Sequence, residues 1–356
     1  MRKCVPLALL VVCALVLAAT GCSKQAAGAS TSTTKAGATG TGQAATAWTV
    51  LKPAGDAPAP RAGHAMVYDS TTDQVIVFGG TDSKVFYNDT WAYSFKTNAW
   101  TELKPSGGIP SVRCALAMVF DPDTGKVILF GGIDKSAPLG DTWLYDPAAN
   151  TWTNLQPGGT TPSARSGHAM VYDPEAKKVV LFGGKDSTGL LDDTWTYDVS
   201  ANTWTQVKSD KQPAARVGHS MAYDSSTKKT VVFGGWDMKT YYNSTWAYDS
   251  SAGTWVSLST GGSLPGGRAG QCMVYDVAGS RILMFGGTAT NTLLRDVVGL
   301  DSKTDAWTTL QTSVPWPDAR TGHALVYDSS NNKTILFGGW SSTTYFNDLW
   351  SLSPAG

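Results

Sequence analysis

Phe78-Gly79-Gly80 is the first of six copies of one tripeptide that recurs along nearly the whole chain. The later copies end at Gly132, Gly184, Gly235, Gly287 and Gly339, so successive copies are 52, 52, 51, 52 and 52 residues apart. An interval this regular indicates one structural unit repeated six times. A unit of this length cannot bury its faces alone and has to stack on its neighbours.

The third repeat shows the internal pattern of the unit. Apolar and polar residues alternate over residues 168–172, 178–182, 194–197 and 203–207, with turn residues between them, which predicts four β-strands. Asp173 and its equivalents open the first turn, where the carboxylate can accept hydrogen bonds from amides two residues further on. Four strands in each of six repeats predict a six-bladed β-propeller with almost no helix.

The two ends of the repeat region predict how the ring closes. Trp48-Thr49-Val50-Leu51 matches the fourth strand of a repeat, whereas the sixth repeat stops at Trp350-Ser351-Leu352 without one. We expect the N-terminal strand to pair into the last blade, because an open sheet edge would invite pairing with another chain. The predicted fold class is therefore an all-β, six-bladed propeller closed by the N-terminal strand.

The repeat resembles the kelch family of propellers. The resemblance covers residues 47–356 and rests on the Gly-Gly pairs, the Asp-Thr-Trp segments that begin third strands and the Thr-Trp-Thr segment of the fourth strand. It is specific for the fold. Kelch propellers include protein-binding modules, the copper enzyme galactose oxidase and bacterial sialic acid mutarotases, so the function has to be argued from residues.

The first 22 residues have the features of an export signal. Arg2 and Lys3 precede an apolar run over residues 5–19, which is shorter than the roughly 20 residues that span a bilayer. The segment ends in Leu17-Ala18-Ala19-Thr20-Gly21-Cys22, which resembles the lipobox of bacterial lipoproteins, although Ala19 stands where that family usually carries leucine. The resemblance implies cleavage before Cys22 and lipidation of its thiol. Ordinary secretion is the alternative.

Three parts of the chain follow from these features. Residues 1–21 are predicted to be the signal peptide, residues 22–46 a lipidated cysteine with its tether, and residues 47–356 the propeller. Residues 23–46 are almost wholly Ser, Thr, Gly and Ala, a composition that predicts a flexible linker rather than a core. We expect an extracytoplasmic, membrane-anchored bacterial lipoprotein.

Net charge narrows the choice of partners, and the positions of the cysteines predict whether they form a disulfide. Without the predicted signal the chain carries 26 basic and 28 acidic residues, a net charge of −2, which argues against a nucleic-acid partner. Cys114 and Cys272 lie in the second and fifth repeats, on opposite sides of a six-bladed ring. We expect two free thiols, because the separation is too large for a disulfide.

Repeated residues are expected to be structural. The four histidines all stand three residues after the arginine that precedes a first strand, so no metal site, cofactor or catalytic group is predicted from them. Eleven of the fourteen tryptophans also occupy repeated positions and should pack between blades. They are Trp48, Trp91, Trp100, Trp143, Trp152, Trp195, Trp204, Trp246, Trp255, Trp307 and Trp350.

Departures from the repeat gather around the fifth blade. Gln271 replaces a histidine there, and Arg295 precedes a third strand that lacks Asp-Thr-Trp. Arg268 and Arg320 belong to the two repeats that lack an aspartate shortly after Gly-Gly, so we expect them to be free for a ligand carboxylate. Pairing of Asp318 with one of them is the alternative.

These departures define a candidate binding site on one rim of the propeller. Its residues are Trp236, Trp316, Trp340, Arg268, Arg295, Arg320, Gln271, Tyr241 and Tyr345. Tryptophans beside arginines suit stacking on a sugar or gripping an acidic peptide, while loop packing is the alternative. We predict a non-catalytic envelope module that binds a glycan or protein ligand. The alternatives are a carbohydrate-active enzyme, such as a sialic acid mutarotase, and a passive structural protein.

Overall fold

Six antiparallel sheets surround a central axis in the computed structural model, which describes residues 46–353. The first strand of each sheet contacts the first strands of both neighbouring sheets, and the sixth sheet returns to the first. The described residues contain no helix, so none is present there that could span a membrane. The predicted six-bladed propeller is confirmed, and the blades are numbered in chain order from residue 65.

The first and second strands of each blade begin and end at nearly equivalent positions of the repeat. The innermost strands are β2 (Ala65–Asp69), β7 (Ala117–Asp121), β11 (Ala169–Asp173), β15 (Ser220–Asp224), β20 (Cys272–Asp276) and β27 (Ala324–Asp328). The second strands are β3 (Gln74–Phe78), β8 (Lys126–Phe130), β12 (Lys178–Lys185), β16 (Lys229–Phe233), β21 (Arg281–Phe285) and β28 (Lys333–Phe337).

The third and outermost strands of each blade also occupy nearly equivalent positions of the repeat. The third strands are β4 (Thr90–Ser94), β9 (Thr142–Asp146), β13 (Leu190–Asp198), β17 (Thr245–Asp249), β24 (Val297–Asp301) and β29 (Leu349–Ser353). The outermost strands are β5 (Ala99–Leu103), β10 (Thr151–Leu155), β14 (Thr203–Val207), β18 (Thr254–Ser257), β25 (Ala306–Thr309) and, in the sixth blade, β1 (Thr46–Leu51).

Short strands complete the sheets. Three two-residue strands in the linkers add in parallel to the outer edge of the next blade: β6 (Ser106–Gly107) on β10, β19 (Gly261–Gly262) on β25 and β26 (Thr312–Ser313) on β1. A separate hairpin of β22 (Thr288–Ala289) and β23 (Thr292–Leu293) stands above the fifth blade.

The N-terminal strand closes the ring. β1 pairs antiparallel with β29, with Trp48 opposite Leu352 and Val50 opposite Trp350. The predicted completion of the last blade by the N-terminus is confirmed. The first and last described strands of the chain thus hold each other in place, and the third strand of blade six is not left as an open edge.

A closed circle of backbone hydrogen bonds lies where the innermost strands begin. Each blade gives one residue whose amide donates to the carbonyl of the equivalent residue in the preceding blade, over 2.7–3.0 Å. The six residues are Gly63, Ala115, Gly167, Gly218, Gly270 and Gly322, all with φ between +51° and +68°. Glycine adopts this left-handed conformation without strain, so Ala115 is the one member with a steric cost.

The core lies between neighbouring blades. Outer-strand tryptophans pack on the last phenylalanine of the preceding blade's second strand, as Trp152 does on Phe78 with ring centres 5.0 Å apart. Nine of the eleven repeated tryptophans are buried, while Trp246 and Trp350 are partly exposed. Cys114 and Cys272 are not joined by a disulfide, as predicted. The aspartates of the first turns also behave as predicted, Asp173 accepting from the Glu175 amide at 3.0 Å.

Candidate binding site

The Gly-Gly pairs hold the rim loops of adjacent blades together. The second glycine has φ between +96° and +100° in all six blades, a conformation that only glycine adopts readily. Its amide donates to the carbonyl of the arginine that begins the next blade, as Gly287 does to Arg320 at 2.9 Å. In return, the Arg320 amide donates to the carbonyl of Leu294 at 3.1 Å. The end of the second strand, the start of the third and the linker therefore share one rim.

Arg268 and Arg320 are not free, so this expectation was wrong. Arg268 is buried and forms a two-pronged ion pair with Asp296, through hydrogen bonds of 2.7 and 2.8 Å. Arg320 is fully buried and pairs in the same way with Asp348. Each aspartate lies 28 residues after its arginine, immediately before the third strand. Both arginines are therefore structural.

The aspartates that follow Gly-Gly serve a different purpose from the expected one. Asp82 accepts hydrogen bonds from the amides of Lys84 and Val85, at 2.9 and 2.7 Å, and so closes its own loop. Asp134, Asp186 and Asp237 do the same in their blades. Asp318 does not pair with Arg320 through its carboxylate, because the contact is between Arg320 Nε and the Asp318 backbone carbonyl at 3.0 Å.

Gln271 is also structural rather than part of an open site. It is 3% exposed, and its Nε2 donates to the carbonyl of Phe233 at 2.9 Å. His219 makes the equivalent contact in the preceding blade, with Nε2 3.1 Å from the carbonyl of Phe182. The glutamine thus reproduces one hydrogen bond of the histidine that it replaces.

The repeated histidines are buried and neutral. Burial is the main cause that lowers the pKa of His64, His168, His219 and His323 to about 3, and the arginine of the same blade lowers it further. Within residues 46–353 no group of three or more His, Cys, Asp or Glu side chains is arranged to hold a metal ion.

A cleft of about 740 Å³ opens on the rim above the fifth blade. It is lined by the β22–β23 hairpin, by Tyr241 from blade four and Trp340 from blade six, and by Arg295 and Asp318, which add one charge of each sign. Thr288, Thr290, Asn291, Thr292, Ser341 and Ser342 add hydroxyl and amide groups. A cleft of this volume lies within the usual range for small-molecule sites.

Small residues in the fifth blade create this cleft. Thr288 follows Gly-Gly at the position that Trp236 occupies in blade four and Trp340 in blade six. A small side chain between two aromatic ones leaves a trough. Asn291, with φ of +58°, allows the tight turn between β22 and β23. A threonine between two blades that carry tryptophan at this position was the sequence signal for the cleft, and it was not used in the prediction.

Two other predicted residues flank the cleft. Trp236 stacks on Tyr241, with ring centres 5.7 Å apart and an angle of 14° between the planes. Tyr345 packs on the far side of the sector against Trp340, with ring centres 6.3 Å apart. Their role is to support the aromatic walls.

Trp316 contacts Arg295, one of the residues that line the cleft. The guanidinium of Arg295 lies over the Trp316 ring, 4.8 Å from its centre. Trp316 is 37% exposed and Arg295 is exposed, whereas Trp340 is only 7% exposed and packs on Ala62. Arg295 and Trp316 are thus the predicted residues most accessible to a ligand.

Known proteins share this architecture. A family model described as the KLHDC2/KLHL20/DRC7 Kelch-repeats domain matches residues 41–222 and 209–355. The fold, the repeat and this match define the class: the chain belongs to the kelch-repeat family of β-propellers, an architecture typical of binding and protein-interaction modules.

Three relatives with assigned names differ in what those names describe. A Rab9 effector protein with kelch motifs from Xenopus laevis is 29% identical over 203 residues, which are 55% of this chain and 55% of that protein. Acyl-CoA-binding domain-containing protein 4 from Arabidopsis thaliana is 25% identical over 324 residues, 86% of this chain and 47% of that protein. An N-(sulfonatooxy)prop-2-enimidothioate sulfolyase from Thlaspi arvense is 25% identical over 289 residues, which are 71% of this chain and 80% of that protein. The chain spans about half the length of the first two.

Proposed function

We propose that this protein is a binding module that holds a glycan in the cleft above the fifth blade and performs no chemistry on it. The observation that carries the proposal is the composition of the cleft. Hydroxyl and amide groups of Thr288, Asn291 and Ser341 line the same cleft as the aromatic side chains of Tyr241 and Trp340. Sugars present the matching surface, with hydroxyl groups at their edges and apolar C–H faces.

The charged residues add specificity for such a ligand. Arg295 can donate and Asp318 can accept hydrogen bonds with sugar hydroxyls, and both line the cleft. Small polar molecules usually bind in concave sites that enclose them, whereas protein partners usually bind to flatter surfaces. We therefore favour an oligosaccharide.

A protruding loop of a partner protein is the second candidate. One relative is named as an effector protein with kelch motifs, which supports a protein partner for the propeller. Trp316 beneath Arg295 is the feature of this chain that favours such a partner, because tryptophan and arginine are enriched where binding energy concentrates in protein interfaces.

A glycan array probed with the purified protein and with two variants tests the proposal. Arg295→Ala and Trp316→Ala change exposed side chains, so they should fold normally while lowering glycan binding at least about tenfold. Val256→Ala is the control, because Val256 is 52% exposed on the outer strand of blade four. Arg295 lines the cleft, and Trp316 is the ring on which its guanidinium lies. Glycan binding that survives both variants, or no glycan signal from the wild-type protein, would contradict the glycan proposal.

We further propose that the propeller is extracytoplasmic and is tethered to a bacterial membrane through a lipid on Cys22. Cys22 and the tether lie outside the described residues, and the support is the lipobox-like sequence before Cys22. Expression with radiolabelled palmitate should label the wild-type protein, and Cys22→Ser should abolish the label and move the protein from the membrane fraction to the soluble fraction. A variant that stays membrane-bound and labelled would overturn the anchor.

A further inference from the structure

Blade four lacks the ion pair that the other five blades share. The arginine that begins each blade pairs with an aspartate 28 residues later in blades one, two, three, five and six: Arg61–Asp89, Arg113–Asp141, Arg165–Asp193, Arg268–Asp296 and Arg320–Asp348. In blade four the arginine is Arg216 and the residue 28 positions later is Ser244. Blade four therefore has the arginine of the repeat but not the carboxylate that pairs with it in the other blades.

Blade one shows what the complete arrangement binds. Asp89 accepts from Nη1 and Nη2 of Arg61 at 2.6 and 2.7 Å, and from Nε1 of Trp91 at 2.8 Å. A ring of Tyr87 covers the guanidinium, 4.2 Å away. The same three donors converge on the aspartate in blades two, three and six. The arrangement is a cradle for one carboxylate group.

Blade four retains the framework of this cradle. Arg216 is 1% exposed and is fixed in place by Nε to the carbonyl of Ala214 and by Nη1 to the carbonyl of Gly234, both at 2.8 Å. Tyr242 covers it at 4.3 Å, and Trp246 occupies the position of Trp91. The Ser244 hydroxyl lies 3.3 Å from Nη1, and no described carboxylate forms a salt bridge with Arg216.

The missing carboxylate leaves an electrostatic cost. Burial lowers the pKa of Arg216 to about 10, and Tyr242 and Asp237 nearby offset this effect only in part. Asp237 is not a substitute partner, because its carboxylate accepts from the Tyr242 hydroxyl at 2.9 Å and from loop amides. A buried guanidinium without a paired anion is destabilising, so an anion supplied from outside would be bound favourably.

We propose that Arg216, Ser244 and Trp246 form a binding site for the carboxylate group of a ligand. A planar carboxylate matches the fork of the guanidinium, and the Ser244 hydroxyl can donate a further hydrogen bond. The site is reachable, since the side chains of the five equivalent aspartates are 20–33% exposed. Asp237 does not prevent a carboxylate from binding to Arg216. Asp82 holds the equivalent position in blade one, where the Arg61–Asp89 pair is intact.

This site is independent of the cleft above blade five, because none of its three residues lines that cleft. Its ligand chemistry could come from the terminal carboxylate of a peptide or from a sugar acid. Three probes separate these sources: acetate as the minimal carboxylate, N-acetylglycine as a peptide terminus, and glucuronate as a sugar acid.

The test measures the thermal unfolding midpoint of the full chain against acetate concentration, with sodium chloride holding the ionic strength constant. The wild-type protein should show a saturable rise. Ser244→Asp restores the repeat and should start from a higher midpoint while weakening the acetate response at least about tenfold. Asp89→Ser in blade one is the converse variant, and it should gain a second acetate response.

Each outcome decides the proposal. Stronger binding of N-acetylglycine or of glucuronate than of acetate supports the site and identifies the source of the carboxylate, and equal binding of all three supports a general carboxylate site. An acetate response that Ser244→Asp leaves unchanged, or no response beyond that of chloride, overturns it. Arg295→Ala should leave the acetate response intact, so failure here is distinguishable from failure of the glycan proposal.

Discussion

Val297 packs against Trp48 at the position where four other blades place a threonine that accepts a hydrogen bond from a tryptophan of the next blade. Trp152, Trp204, Trp255 and Trp307 donate Nε1 to Thr90, Thr142, Thr194 and Thr245, over 2.9–3.2 Å. Within residues 46–353 the buried Nε1 of Trp48 has no such acceptor. One inter-blade hydrogen bond is therefore missing next to the strand that closes the ring.

Val297→Thr should supply this hydrogen bond. Threonine and valine have nearly the same shape, so the change adds an acceptor for Trp48 with little repacking. We expect the free energy of unfolding to rise by about 1 kcal/mol, measured by urea denaturation. The matched control is Thr245→Val, which removes the acceptor of Trp307 and should lower stability by about 1–2 kcal/mol. A loss of stability in both variants would show that the new hydroxyl stays unpaired.

The four buried histidines should make the propeller less stable in mild acid. Their pKa is about 3 in the folded state against an ordinary value of 6.5, so the unfolded chain binds more protons between these two pH values. Stability is therefore complete above about pH 6.5 and falls as the pH is lowered. Each histidine should contribute a loss of about 2 kcal/mol between pH 7 and pH 5.

His219→Gln isolates one of these contributions. Gln271 shows that glutamine makes the same backbone contact at this position, so the variant should fold at pH 7. Its loss of stability between pH 7 and pH 5 should be smaller than that of the wild-type protein by about 2 kcal/mol, measured by urea denaturation at both pH values. An unchanged difference would mean that His219 does not titrate on unfolding in this range.

Ala115→Gly should stabilise the central circle of hydrogen bonds. Ala115 has φ of +51°, where a Cβ atom is disfavoured and the other five members carry glycine. We expect a gain of about 0.5–1 kcal/mol, because relief of strain exceeds the added flexibility of the unfolded chain. Gly63→Ala is the opposite change at φ of +64°, with its Cβ 3.2 Å from the Ala115 amide nitrogen, and it should lower the thermal midpoint. A lower midpoint for Ala115→Gly would contradict the strain argument.

Removal of residues 46–53 should open the ring. The deletion takes away every hydrogen bond between β1 and β29 and the buried ring of Trp48, which is 3% exposed. We expect a loss of more than about 4 kcal/mol and self-association through the exposed edge of β29, measured by urea denaturation and size-exclusion chromatography. Deletion of residues 30–39 is the control and should leave both measurements unchanged. A monomer of normal stability after the first deletion would show that β1 is dispensable.

The repeat alone was sufficient to predict most of the fold. Six copies at one period indicated six blades, and a fourth-strand segment before the first repeat predicted the closure by β1. Positions such as Trp152 and Asp173 were interpreted correctly as structural because they recur in every blade or nearly so. Repetition works in this way because equivalent positions in a propeller have equivalent neighbours.

One prediction was wrong because the wrong aspartate was taken as the partner of the repeated arginine. Arg268 and Arg320 were expected to be free because their blades lack the aspartate after Gly-Gly. That aspartate bonds to the amides of its own loop wherever it occurs, as Asp82 does. The true partner lies 28 residues away in sequence and reaches the arginine only because the second and third strands fold back antiparallel. The constant spacing was visible in the sequence, and it would have indicated Arg216 instead.

The sequence by itself determined the blade number, the closure and the residues between the blades, because these depend on patterns that every repeat shares. Tertiary structure alone decided what the exceptions do. Thr288 becomes part of a cleft because Tyr241 and Trp340 from two other blades line the same space. Arg216 becomes a buried cation without an aspartate partner because the fold buries it beside Ser244, whose side chain has no carboxylate. Both sites arise from contacts between residues that are distant in sequence, so the repeat pattern can mark the exceptional positions but does not specify the contacts that they make.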